Sequence, residues 1–381
     1  MKRLYLKYLI SAAVLLSVTV LGFFTFHDTS PRSPKPDYPN ASENPDPGSD
    51  HNENPGVGDI VYEPPPPSEK PGNTPDKEQP NPVDPPVLNP PVTHNVKKNV
   101  KVKGIYLSGW VAGTAERFND LFNLVKNTEL NAVVIDVKGD GGIITYETSV
   151  PLAIETGASS KTIANIDSLI ETLKNNNIYI IGRVVSFKDP ILALKRPDLA
   201  IKTRDGHVWK DDKRMAWLNP YNRDNWKYII DISKEAAEKG FDEIQFDYVR
   251  FPTDGNTSII SYGKAEESES RTTAICSFLE STRKELAEFG VPISADVFGI
   301  VINSDSDADK IGQRFEAVSE VVDYISPMVY PSHYALGSYG IRYPDLDPYK
   351  VVYNSLSLGI KKLDTSGGSK AIIRPYLQSF T

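Results

Sequence analysis

Cysteine is almost absent from this 381-residue chain: only Cys276 is present, so no intrachain disulfide can form. A domain exported without disulfides must rely on its apolar core. Cys276 lies in Ala274-Ile275-Cys276-Ser277-Phe278-Leu279, the apolar face of an expected helix, and reads as a small buried hydrophobe. Positive charge is also short, with a net charge of −8, and no basic stripe is available to release counterions from phosphates. Nucleic acid is therefore not an expected partner. The five histidines show no H-E-x-x-H spacing. No P-loop and no G-x-S-x-G elbow occur, and no G-x-G-x-x-G follows the first strand-like run. No cofactor and no metal site is expected. The run Asp305-Ser306-Asp307-Ala308-Asp309 imitates a calcium loop, but Lys310 stands where the sharp turn needs glycine. It reads as an acidic helix start.

Proline is unevenly spread. Most of the 30 prolines fall before residue 92, which divides the chain into three parts. Residues 1–27 carry a basic flank (Lys2, Arg3, Lys7) and an apolar run from Tyr8 to Phe26. Its length suits a bilayer span, and the basic flank orients the rest of the chain outward. The expectation is a single-pass membrane anchor with the folded part outside the cell. The alternative is a cleaved signal peptide and secretion, although Gly22-Phe23-Phe24-Thr25-Phe26 makes a poor cleavage site. Residues 28–100 are rich in Pro, Asn, Asp, Glu and Ser, as in Pro64-Pro65-Pro66-Pro67. Such a segment cannot bury enough apolar surface to fold and is expected to be an extended spacer.

Residues 101–381 alternate short β-branched runs with longer amphipathic ones. Strand candidates start at Gly104, Asn131, Ile178, Glu243, Pro292, Asp323 and Ala371. Helical spacing between them (Phe118, Leu121, Phe122, Val125; Ile166, Leu169, Ile170, Leu173) implies crossovers and a parallel sheet. The expected fold is α/β, a TIM-type (β/α)8 barrel. Seven strands are visible before Thr381 where closure needs eight, so the eighth strand is expected to be missing.

In such a barrel, chemistry sits at the carboxyl ends of the strands. Strand alternation puts Asp136 with Lys138, Arg183, Gln245 with Asp247, Ser294 with Asp296, Tyr330, and Arg374 with Gln378 on the axial side. Aromatics crowd the same ends: Trp110, Tyr146, Phe187, Tyr248, Phe251, Phe298, Tyr330 and Tyr334. His333 follows the sixth strand and is a further candidate contact. Paired carboxylates in an aromatic-lined cleft are what glycosidic cleavage requires, one to protonate the leaving oxygen and one as nucleophile or base. A purely structural ion-pair layer is the competing reading.

The segment from Phe241 to Pro252, which contains Asp247-Tyr248-Val249-Arg250, resembles the putative glycosyl hydrolase domain family of bacterial secreted and surface proteins. Asp136-Val137-Lys138, Trp217-Leu218-Asn219-Pro220, Ser294-Ala295-Asp296-Val297, Ser326-Pro327-Met328-Val329-Tyr330 and Ile373-Arg374-Pro375-Tyr376 carry the same resemblance, which extends from Lys103 to Thr381. The resemblance implies a barrel distantly similar to alpha-amylase and alpha-galactosidase enzymes. It implies an extracellular glycoside hydrolase acting on a cell-wall polysaccharide or exopolysaccharide, with Asp247 as nucleophile and Asp296 as acid. Asp136 is an alternative partner. Trp110, Lys138, Arg183, Gln245, Arg250, Tyr330, His333 and Arg374 would contact substrate. Two positions depart from the amylase-like pattern: Gln245 stands where those enzymes carry arginine, and Asp296 is one methylene shorter than their usual acid. The alternative function is a non-catalytic carbohydrate-binding or wall-associated barrel.

Overall fold

The computed structural model describes residues 100–367 and 371–380. The expected anchor and nearly all of the expected spacer lie outside the described residues. Among the described residues no helix is long and apolar enough to cross a membrane.

Six parallel strands form in the places their β-branched runs mark: β1 (Gly104–Leu107), β2 (Ala132–Lys138), β3 (Tyr179–Val185), β4 (Glu243–Asp247), β5 (Ile293–Phe298) and β6 (Tyr324–Val329). The seventh comes in two pieces, β7 (Ile372–Ile373) and β8 (Tyr376–Leu377). Both pieces pair with β6 in one register, Tyr324 with Ile372 and Met328 with Tyr376. The break has a chemical cause. Pro327 of β6 has no N–H to donate at that point of the ladder. The N–H groups of Ile372 and Arg374 donate to the carbonyls of Asp323 and Ile325, each at 2.9 Å.

The sheet runs β1-β2-β3-β4-β5-β6-β8, and among the described residues nothing joins β8 to β1. It is a mostly parallel sheet curled into an incomplete barrel with helices on its outer side.

The α-helices of seven or more residues are α1 (Ala115–Asn127), α2 (Ile166–Asn175), α3 (Arg223–Lys239), α4 (Arg271–Leu286), α5 (Asp305–Ile311), α6 (Phe315–Val321) and α7 (Pro348–Thr365), among the described residues. Asn165 and Asn222 cap α2 and α3 with their side chains, and Gly240 ends α3 in the left-handed region at φ 106°. The acidic run at Asp305 is a helix start, as expected, with Ser304 accepting from the Asp307 amide. One expected helix through Ile311 and Phe315 is instead two, because Gly312 takes φ +76° and its Cβ position is filled by the Arg271 carbonyl. α7 is absent from the expectation altogether.

Alternation along β2 and β3 separates two kinds of burial. Val133, Ile135 and Val137 pack outward into the main core, with Ile180 and Val184. Ala132, Val134, Tyr179 and Ile181 form a separate apolar cluster. Continuing the same parity toward the strand ends gives Asp136 and Arg183. On β2 and β3 the inward face thus changes from apolar to charged toward the strand ends.

Candidate active site

Arg183 is the centre of the charged layer. Its Nη1 donates to Asp136 Oδ1 at 2.7 Å and its Nη2 to Asp140 Oδ1 at 2.9 Å. Nε and Nη2 both reach Asp247 Oδ2, at 3.0 and 2.6 Å. Tyr106 of β1 donates its phenol to Asp136 Oδ2 at 2.7 Å. Burial works against the Arg183 charge, but Asp247, Asp136 and Asp140 together hold its proton well above the ordinary arginine value. Arg183 stands beside Gln245 in the register of β3 and β4.

Asp247 ends β4 half-buried, and the next residue reverses the chain. Tyr248 takes φ +47°, a left-handed conformation that a side chain of this size rarely adopts. The reversal brings its backbone N–H to Asp247 Oδ1 at 2.6 Å. Both carboxylate oxygens of Asp247 thus accept N–H donors. The Tyr248 phenol accepts from Lys188 Nζ at 3.3 Å.

Asp140 was not among the expected residues. It sits in Gly139-Asp140-Gly141-Gly142, just beyond β2, with its side chain 45% exposed. Burial alone would raise its carboxyl, but Arg183, with help from Lys188, holds it below the ordinary range. A carboxylate inside a glycine-rich turn after a strand end was the available signal.

Asp296, on β5, differs from the other carboxyls. It is 2% exposed, and its Oδ1 has no hydrogen-bond partner. Burial raises its carboxyl well above the usual range, and the negative charge of Asp247 raises it further. Tyr330 and Tyr376 feel the charge of both carboxyls. Tyr376 donates to Gln245 Oε1 at 2.6 Å, which holds Gln245 in the wall.

Of three further expected contacts, Lys138 and Arg250 are buried and Arg374 is partly buried. Lys138 is fully buried, donates to the Val185 carbonyl at 2.8 Å and pairs with Asp189 at 2.9 Å. The register shifts between Asp136 and Lys138, so strict alternation does not carry through to it. Arg374 makes a two-pronged pair with Glu243, the first residue of β4, with Nη1 to Oε2 at 2.9 Å and Nη2 to Oε1. Ser294 and Tyr179 also donate to that carboxylate. This is a structural layer below the mouth. Arg250 is buried against aromatic rings. Among the expected aromatics, Tyr146, Phe187, Phe251 and Tyr334 are buried, whereas Tyr248, Phe298 and Tyr330 are half-buried at the mouth. Trp110 is 61% exposed and His333 is exposed beside Tyr330, at 5.2 Å between ring centres. Among the described residues no cluster of three His, Cys, Asp or Glu side chains could hold a metal ion.

Residues 104–381 match the putative glycosyl hydrolase domain family. The chain belongs to that family. Among solved structures, the glycoside hydrolase domain of PgaB (BpsB) from Bordetella bronchiseptica is similar at 12% identity and a TM-score of 0.51. That match covers 72% of this chain and 84% of the other, and shows a shared fold. A hypothetical protein from Ruminiclostridium thermocellum is 44% identical over 51% of this chain and 97% of its own, with a TM-score of 0.47. The glycoside hydrolase domain of PelA from Pseudomonas aeruginosa is 10% identical, covering 70% and 80%, with a TM-score of 0.39. No curated protein sequence matches the chain. Family membership thus rests on the whole barrel segment, and the site geometry above is that of a family member.

Proposed function

We propose that this protein hydrolyses a glycosidic bond in an extracellular or cell-wall polysaccharide, held outside the cell by its N-terminal anchor. One observation carries the reading: two carboxyls that act on each other through space sit in opposite environments, Asp247 gripped by N–H donors and Asp296 buried with an oxygen that has no partner. Asp247 is clamped by Arg183 and the Tyr248 amide as an acceptor, while burial and the charge of Asp247 push the Asp296 carboxyl well above its ordinary range. Carboxyls held in such unlike environments can divide acid and base roles. Asp296 gives its proton to the leaving glycosidic oxygen as the bond to the anomeric carbon breaks. Asp247 supplies the carboxylate that attacks that carbon or takes a proton from water attacking it. Trp110, Tyr330 and His333 offer ring faces at the mouth. The test is release of reducing ends from a panel of bacterial glycans by the wild type and by Asp247→Asn. Cleavage that survives the substitution removes Asp247 from its role.

A second reading, glycan binding without cleavage, has one observation in its favour. Every oxygen of Asp247 is already engaged, and Asp296 is 2% exposed. Retention of glycans with no reducing ends from any panel member would select it.

A further inference from the structure

Two cations at the mouth are poorly matched by the carboxylates: Arg250 has no ion pair among the described residues, and Lys188 has only a shared one at 3.7 Å. Asp136, Asp140 and Asp247 all turn to Arg183. Arg250 is 3% exposed, yet among the described residues no carboxylate forms an ion pair with it. Its hydrogen bonds leave from one nitrogen, Nη1, to the Phe251 carbonyl at 2.9 Å and the Thr253 hydroxyl at 3.5 Å. Nε and Nη2, the edge that grips a carboxylate or phosphate in two-pronged fashion, bond to nothing among the described residues.

The acids that act on Arg250 through space, Asp254, Asp247 and Asp211, are engaged elsewhere or exposed. Asp247 belongs to Arg183. Asp211 accepts from the Trp217 indole and the Met215 amide. Asp254 is exposed and accepts from the Thr253 hydroxyl. The rings of Phe298, Trp217 and Tyr248 lie 4.4, 5.1 and 5.2 Å from the guanidinium carbon and keep water away without supplying a counter-charge. Desolvation accordingly pushes the guanidinium below its ordinary value.

Lys188 repeats the pattern. It is buried, has one hydrogen bond, to the Tyr248 phenol, and lies 4.5 Å from the centre of the same Tyr248 ring that Arg250 approaches. Its nearest carboxylate, Asp140, is 3.7 Å away and already held by Arg183. Buried charges with spare donors and at most a shared, distant partner are costly, and an arriving anion offsets the cost.

We propose that Arg250 and Lys188 form an anion subsite beside Asp247, which takes a carboxylate or phosphate borne by the sugar next to the scissile bond. The inference rests on the glycosidase reading and narrows its substrate to acidic glycans. Calorimetric titration of the full chain with glucuronate, inorganic phosphate and glucose tests it without hydrolysis. Both cations should favour the charged ligands over glucose by about tenfold or more, with the better anion identifying the substituent. Lys188→Gln and Arg250→Gln should each remove about tenfold of that preference. Lys188→Gln alone decides if the Arg250 variant fails to fold. No binding of either anion, equal binding of glucose and glucuronate, or anion binding unchanged in Lys188→Gln overturns the subsite. Anion binding that is retained and lost as described, in a protein that cleaves no glycan, leaves the subsite standing and rejects the glycosidase reading instead.

Discussion

Two arginine–carboxylate layers cross the inside of this barrel, and they differ in stoichiometry. The lower layer matches Arg374 to Glu243 one to one, with Ser294 and Tyr179 filling the remaining acceptor positions. The upper layer gives Arg183 three carboxylates, places one of them half in solvent, and sets beside them Asp296, whose carboxyl burial pushes well above the ordinary range. Both contain buried charge, so burial does not mark the site. An imbalance of partners does: a closed pair has nothing left to offer a ligand, while a surplus of acids can move protons. The backbone agrees, since the strained Tyr248 conformation belongs to the upper layer.

The comparison breaks most sharply at the upper layer. Asp247→Asn should lower hydrolysis on the order of 10³–10⁴-fold while leaving the melting transition cooperative, as read from turnover and calorimetry. A comparable loss from a lower-layer variant that is still folded would erase the distinction. The lower layer should answer in stability instead. Glu243→Gln strands Arg374 as an uncompensated charge and should cost about 3–5 kcal/mol in denaturant unfolding, with turnover of the folded fraction preserved.

Asp296 sharpens the contrast through pH. Its folded proton is held well above the unfolded Asp value of about 3.9. Between those two values the native state binds more protons than the unfolded chain, so stability falls as pH rises through the window. Asp296→Asn, neutral at every pH, should therefore melt higher than wild type at neutral pH, and the gap should close as pH drops toward 4, while activity is lost. A gap that widened in acid would show that Asp296 is ionised in the fold. The smallest effect belongs to the exposed rim. Trp110→Ala should change stability by no more than about 0.5 kcal/mol. It should raise KM about fivefold with kcat unchanged if the ring stacks on substrate.

The sheet was legible in the sequence because buried parallel strands are written as uninterrupted β-branched runs, and Val133 to Val137 or Ile178 to Ile181 read as nothing else. α7 was not, because Tyr349, Tyr353 and Ile360 are exposed apolar residues that blur its single inward face of Val351, Ser355, Gly359 and Leu363. Strand alternation brought Asp136, Arg183 and Asp247 together correctly. It misplaced Lys138, because alternation holds only while the register does, and the register shifts at that residue. It gave no way to separate Arg374 from Arg183, since both point to the axis and differ only in depth and in the number of acids each meets. Asp140 was missed because it stands on a turn, where no periodicity reports direction.

The interruption in the last strand has a further consequence. The amides of Ile372 and Arg374 point toward β6, so by alternation residue 375 presents its backbone to the side that no described strand covers. That residue is proline, with no hydrogen to offer. An arriving chain that tried to extend the sheet there would find a rung missing midway along the edge. The same proline chemistry that splits the ladder on one side thus removes a donor on the other.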